Sequence, residues 1–293
     1  MNRLPLRHIL CPMDLSSLSM NALGWANAIA RARSAELRAL HVDVTGGLAA
    51  PAAFGSLEHS HLMTKLREAL ITIDPENVHT GAAVRQGDPG TQILRFARSV
   101  GADVIVMGAA GLERPMRPVG SVTATVVARS DCPVLIVPGG RRSDRLSAGV
   151  FKRILCAVDL APSSISVIRQ ALSLAWETQG HVRCVCIMID PDPPSSEIQN
   201  QLLAAIPPEA HAWCDIDVIV KQGVPATEIV RVTEASDVDV LVIGPPRQWT
   251  STTQAVLAKS LCPVLVTHDA RPLPYPSRNG LGATVRGTTS STR

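Results

Sequence analysis

Short aliphatic runs alternate with longer stretches in which apolar residues recur at helical spacing. Ile9–Asp14 (ILCPMD) reads as a strand, and Ser19–Ala32 as a helix carrying Leu23, Ala26, Ile29 and Ala30 on one face. Leu37–Val44 is a second strand, and a helix is expected around His61–Ile71. His79–Gly87 follows as a strand, Gly90–Val100 as a helix, Asp103–Gly108 as a strand, Ser121–Ala128 as a helix and Pro133–Pro138 as a strand.

The same succession then returns. HILCPMDLSS from His8 reappears as RILCAVDLAP from Arg153, and LRALHV (Leu37–Val42) as VRCVCI (Val182–Ile187). VRQGDPGTQI from Val84 reappears as VKQGVPATEI from Val220. ADVIVMG ending at Gly108 matches VDVLVIG ending at Gly244, and CPVLIV from Cys132 matches CPVLVT from Cys262. Five correspondences in one order define an internal repeat.

Strands separated by helices of this length need right-handed crossovers and build a parallel sheet. The expected fold is therefore α/β: two tandem, open, doubly wound, parallel five-stranded sheets with helices on both faces, Rossmann-like. The expected division is residues 1–140, a linker at 141–151, and a second domain at 152–270. The tail, 271–293, lacks periodicity and is expected to be disordered. The Pro-Val-Leu strands at Cys132–Val137 and Cys262–Thr267 are expected at sheet edges. Pairing of those edges would make the chain a pseudo-dimer about a pseudo-two-fold axis, open to further homo-oligomerisation.

Composition sharpens this picture. Apolar residues make up 46% of the 293 positions and aromatic residues only 3%, so the cores must be aliphatic, as suits strands covered on both faces. A net charge of +3, spread along the chain, argues against a nucleic-acid surface. The first residues lack an apolar stretch of secretory length and no run is long enough to span a bilayer, so a cytoplasmic protein with no membrane partner is expected. Of the seven cysteines, Cys11, Cys156, Cys184 and Cys186 sit in apolar runs and Cys132 and Cys262 precede Pro-Val-Leu; they read as small buried residues, and Cys184-x-Cys186 has the wrong spacing for a zinc knuckle. No metal site is expected from them.

In open parallel sheets, ligands bind beyond the carboxyl ends of the strands. Asp14 closes the first strand and either caps the next helix or accepts a hydrogen bond from a ligand. The fourth strand runs into Gly108-Ala-Ala-Gly111, and Gly120-Ser121 opens the last helix. Glycines permit positive φ and close approach, and a helix N-terminus attracts phosphate. Ser121 would cap or donate, while Arg114 and Arg117 would supply charge from the loop.

These features resemble the universal stress protein (UspA) superfamily, in tandem form. Its members share an opening strand ending in Asp, a Gly-x2-Gly-x9-Gly-Ser/Thr loop and a Pro-Val-Leu strand; here the second spacer holds eight residues, Leu112–Val119. In nucleotide-binding members the resemblance implies ATP, held here by Asp14, Val42, Gly108, Gly111, Gly120 and Ser121. Under the competing reading of a weak ATPase, a carboxylate would have to hold Mg²⁺ beside the phosphates, and Asp14, Asp88 and Glu113 are the candidates.

The second copy departs further. Five residues, Pro245–Trp249, separate Gly244 from Thr250-Ser251, where the first copy uses eleven. Pro245 removes a backbone donor and Trp249 fills space, so at most one nucleotide per chain is expected. There is no Walker lysine and no supported Ser-His-Asp trio, and His8 and His41 read as structural. A nucleotide-responsive stress protein leads. A weak ATPase and a ligand-free interaction scaffold are the competing readings.

Overall fold

The computed structural model describes residues 6–44, 57–74, 80–109, 119–139, 151–161, 164–176, 178–244 and 251–268. Gly111, Glu113, Arg114, Arg117 and Trp249 lie outside the described residues, as do most of the linker and the tail. The first repeat runs β1 (His8–Met13), α1 (Ser17–Arg33), β2 (Glu36–Asp43), α2 (Leu57–Ile73) and β3 (Thr80–Gln86). It continues with α3 (Pro89–Val100), β4 (Val104–Gly108), α4 (Ser121–Arg129) and β5 (Val134–Val137). The second runs β6 (Arg153–Val158), α5 (Ser164–Ala175), β7 (His181–Met188), α6 (Ser195–Ala205) and β8 (Asp215–Gln222). It ends with α7 (Pro225–Ala235), β9 (Val240–Ile243), α8 (Ser251–Lys259) and β10 (Val264–Val266).

Within each repeat every strand pairing is parallel, as the helical crossovers require. The two five-stranded sheets do not remain separate. Their edges join into one ten-stranded sheet of order β3-β2-β1-β4-β5-β10-β9-β6-β7-β8. The seam is the antiparallel pair β5–β10, in which Leu135 faces Leu265, Val134 faces Val266 and Ile136 faces Val264. Leu135 and Leu265 are repeat counterparts, so the pseudo-two-fold axis passes through this pair. Each edge satisfies the other's open backbone groups.

Side-chain alternation along the strands builds two apolar layers. One lies under α1, α2, α5 and α6 and holds Leu23, Leu66, Ile168 and Leu202; the other lies under α3, α4, α7 and α8 and holds Phe96, Val126, Val232 and Val256. Both run unbroken across the seam: Leu135 and Leu265 belong to the first layer, Ile136 and Val264 to the second. Strand starts are held by a repeated device. The Asp103 carboxylate accepts from the N–H groups of Arg7 and His8 at 2.7 and 3.0 Å. Its counterpart Asp239 accepts from Lys152 and Arg153 at 3.0 and 2.9 Å.

Candidate functional site

In the first repeat the chain lays β2 and β3 to one side of β1, then returns to place β4 and β5 on the other. That reversal opens a crevice at the carboxyl ends of β1 and β4. A cavity of about 670 Å³ occupies it, within the usual range for small-molecule sites. Asp14, Val42, Gly108, Gly120 and Ser121 all line it. Five of the six residues expected from the sequence therefore meet around one space, and Gly111 is the one outside the described residues.

Asp14 is not the helix cap. Ser16 is: its hydroxyl accepts from the N–H of Ser19 at 3.2 Å, while Asp14 accepts from the N–H of Ser16 at 3.0 Å. The carboxylate thus folds the chain from β1 into α1 and still faces the cavity. Partial burial works to raise its pKa, but hydrogen bonding from Ser16 and Ser19 outweighs this and holds it below the usual carboxylate range.

The opposite wall is the start of α4. Gly120 is its N-cap and offers no side-chain hydrogen bond to the helix. Gly120, Ser121, Val122 and Thr123 line the cavity, and this first turn lacks the side-chain cap that α1 has. Gly120 sits at φ −65° and ψ 151°, ordinary extended backbone. Its value here is a bare surface, not access to positive φ, and the same holds for Gly108 in β4. The buried Thr123 hydroxyl donates to the Gly108 carbonyl at 3.1 Å, and the Gly120 N–H donates to the Ala109 carbonyl at 3.0 Å. These bonds fix the helix start against the end of β4.

Asp88, considered above for Mg²⁺, is committed elsewhere. It caps α3 by accepting from the N–H of Thr91 at 2.7 Å, which holds its pKa below the usual range. His41, read as structural, has two roles. Its Nδ1 lies 2.8 Å from the Met13 carbonyl oxygen, tying β2 to β1, and the ring also lines the cavity. Glu58 and His61 on α2 line it too, and sequence reasoning missed both. None of the sequence correspondences between the copies covers their segment, although α6 holds the equivalent place, so alignment of the copies gave no signal.

The second repeat keeps Asp159 but binds it locally. Its Oδ1 accepts from the Ala161 N–H at 2.9 Å and from the Ser164 hydroxyl at 2.7 Å, and Ser164 Oγ accepts from the Asp159 N–H at 3.0 Å. Val224 stands where the first repeat has Asp88, and α7 has no side-chain cap.

Repeats, sheet and crevice together make this a tandem doubly wound α/β protein with a candidate ligand cleft in its first repeat. A comparison with protein families matches residues 5–138 and 151–268 to the universal stress protein family. The chain belongs to that family. Universal stress protein MJ0531 of Methanocaldococcus jannaschii is 35% identical over 141 residues, covering 45% of this chain and 81% of that protein. Universal stress protein Sll1654 of Synechocystis is 30% identical over 132 residues, covering 44% of this chain and 84% of that protein. Each relative corresponds to about one repeat. A crystal structure of a universal stress protein from Archaeoglobus fulgidus matches both repeats, over 90% of this chain and 97% of its own, with a TM-score of 0.71 at 21% identity. That likeness shows the fold. No helix among the described residues is long and apolar enough to cross a membrane.

Proposed function

We propose that this chain binds one adenine nucleotide, ATP in the first instance, in the cavity of its first repeat, and acts as a cytoplasmic nucleotide-responsive stress protein. The observation that carries this reading is the convergence of Asp14, Val42, Gly108, Gly120 and Ser121 on one cavity of about 670 Å³. Its α4 end offers backbone N–H groups to phosphates, and its other end offers the apolar Val42 of β2 and Leu62 of α2 to a base. Asp14, between them just past the end of β1, is placed to accept from a ribose hydroxyl. Any Mg²⁺ would arrive with the phosphates, and Asp14 is the remaining described carboxylate of those considered for it.

Bound nucleotide would act by favouring whichever state of the chain holds it better. The chain folds as an internal pseudo-dimer, so such a signal would pass through the β5–β10 seam.

The test is calorimetric titration of the full chain with ATP, alone and with Mg²⁺, beside the Gly120→Val variant. The substitution sets a branched side chain at the start of α4, and the expected result is one site per chain in the native protein and none in the variant. Native protein that takes up no nucleotide would overturn the reading and favour the scaffold. Two equivalent sites would refute the restriction to the first repeat.

A further inference from the structure

Helix α2 forms the far wall of the cavity. Glu58 and His61, one turn apart on one helix face, line it with Leu62. The strand order places β1 between β2 and β4. With strands spaced about 4.8 Å apart, the β2 side lies about 10 Å from the β4–α4 end. A phosphate held at α4 therefore leaves the base at β2 and α2. The polar groups meeting it there are His41, Asp43, Glu58 and His61.

Two of these are already occupied. His41 Nδ1 is engaged by the Met13 carbonyl, and Asp43 has an interaction of its own. Glu58 is exposed and, among the described residues, has no hydrogen-bond or ion-pair partner. A carboxylate accepts hydrogen bonds and donates none. It favours a base edge bearing an exocyclic amine and disfavours one bearing a carbonyl, whose oxygen would face it lone pair to lone pair.

We infer that Glu58 determines base specificity in the first-repeat cavity, selecting a 6-amino purine over a 6-oxo purine. The inference rests on the nucleotide-binding reading above and names what that reading leaves open. His61, the other polar side chain left at this end, can donate as well as accept, so it does not by itself favour one of the two bases.

ATP and inosine triphosphate differ at this edge of the base, so the pair isolates it. Both are titrated calorimetrically into the full chain and into its Glu58→Ala and Glu58→Gln variants. Wild type should bind ATP about tenfold more tightly than the inosine nucleotide, as suits one charge-assisted hydrogen bond at a solvent-open wall. Glu58→Ala should bring the two within about twofold, because the discriminating acceptor is gone. Glu58→Gln, whose amide donates as well as accepts, should recover affinity for the inosine nucleotide. Circular dichroism should show both variants folded, since Glu58 is exposed. Equal wild-type affinities would overturn the assignment, as would a tenfold preference that persists in Glu58→Ala. Wild type that binds neither nucleotide would overturn the parent reading and this one with it.

Discussion

Asp14 and Asp159 occupy the same place in the two repeats, and their hydrogen bonds predict opposite consequences for the same substitution. Asp14 accepts from the Ser16 N–H and is held by the Ser16 and Ser19 side chains, yet it also faces the cavity. Asp159 accepts two hydrogen bonds on a single oxygen, from the Ala161 N–H and the Ser164 hydroxyl. Asn at position 14 can still accept from Ser16, but it loses the charge offered to a ligand. A hydrogen bond to a charged group contributes about 1.5–3 kcal/mol. At an exposed cavity mouth the lower end applies, so Asp14→Asn should raise the ATP Kd by about tenfold, alongside the modest loss of stability at neutral pH that follows from its depressed pKa. Asp159→Asn should leave the Kd within about twofold while lowering unfolding free energy by about 0.5–1.5 kcal/mol, the scale of one weakened local hydrogen bond. Calorimetry on both variants, with urea unfolding alongside, reads the two effects separately. Equal losses of affinity would refute the argument, and so would loss in Asp159→Asn alone.

Acid should also weaken the first repeat. The folded-state pKa values of Asp14 and Asp88 are both depressed, so their contribution is complete above the unfolded value of about 3.9 and is lost as pH falls through the folded values. Unfolding free energy measured by urea denaturation should decline below about pH 4, and less steeply in an Asp14→Asn, Asp88→Asn double variant. At the seam, Leu135→Ala and Leu265→Ala should each cost about 2–5 kcal/mol, with a double variant short of additive because the two face each other. Full additivity in urea unfolding would mean that the seam does not couple them. All seven cysteines are buried, with burial pushing the Cys11 thiol up and the Cys214 thiol up to about 12. An aromatic disulfide reagent should therefore find no fast-reacting thiol until denaturant is added.

The fold was legible because its signals are local and come twice. Aliphatic runs marked the strands of the first repeat, and the fifth correspondence placed the last strand of the second at Cys262–Thr267, where β10 spans Val264–Val266. The α4 start at Ser121 was read to the residue, since Gly120 punctuates it. Helix α2 was the weakest reading: it begins at Leu57, four residues before the expected His61, and Glu58, His59 and Ser60 carry no apolar periodicity to announce it. That same error hid Glu58. The Asp14 side chain was open to reading as a cap because Asp suits such a position, but Ser16 lay nearer the first free N–H groups. His41 looked like an ordinary strand residue. Nothing along the sequence says that the carboxyl end of β2 borders a cavity, because the sheet order that puts it there is a property of tertiary structure.

The antiparallel seam also sets the order in which the molecule assembles. Leu135 and Leu265 stand 130 residues apart, whereas the other strand pairings join strands within one repeat. Contacts between distant positions carry the larger loop-closure entropy and form late. Each half can therefore gather its own strands first, and docking of the halves completes the sheet. Because both are carried on one chain, that docking is unimolecular, governed by a tethered local concentration on the millimolar scale rather than by the amount of protein in solution. Refolding rates should accordingly be the same in dilute and concentrated protein, a kinetic independence that a dimer of separate single-repeat chains does not have.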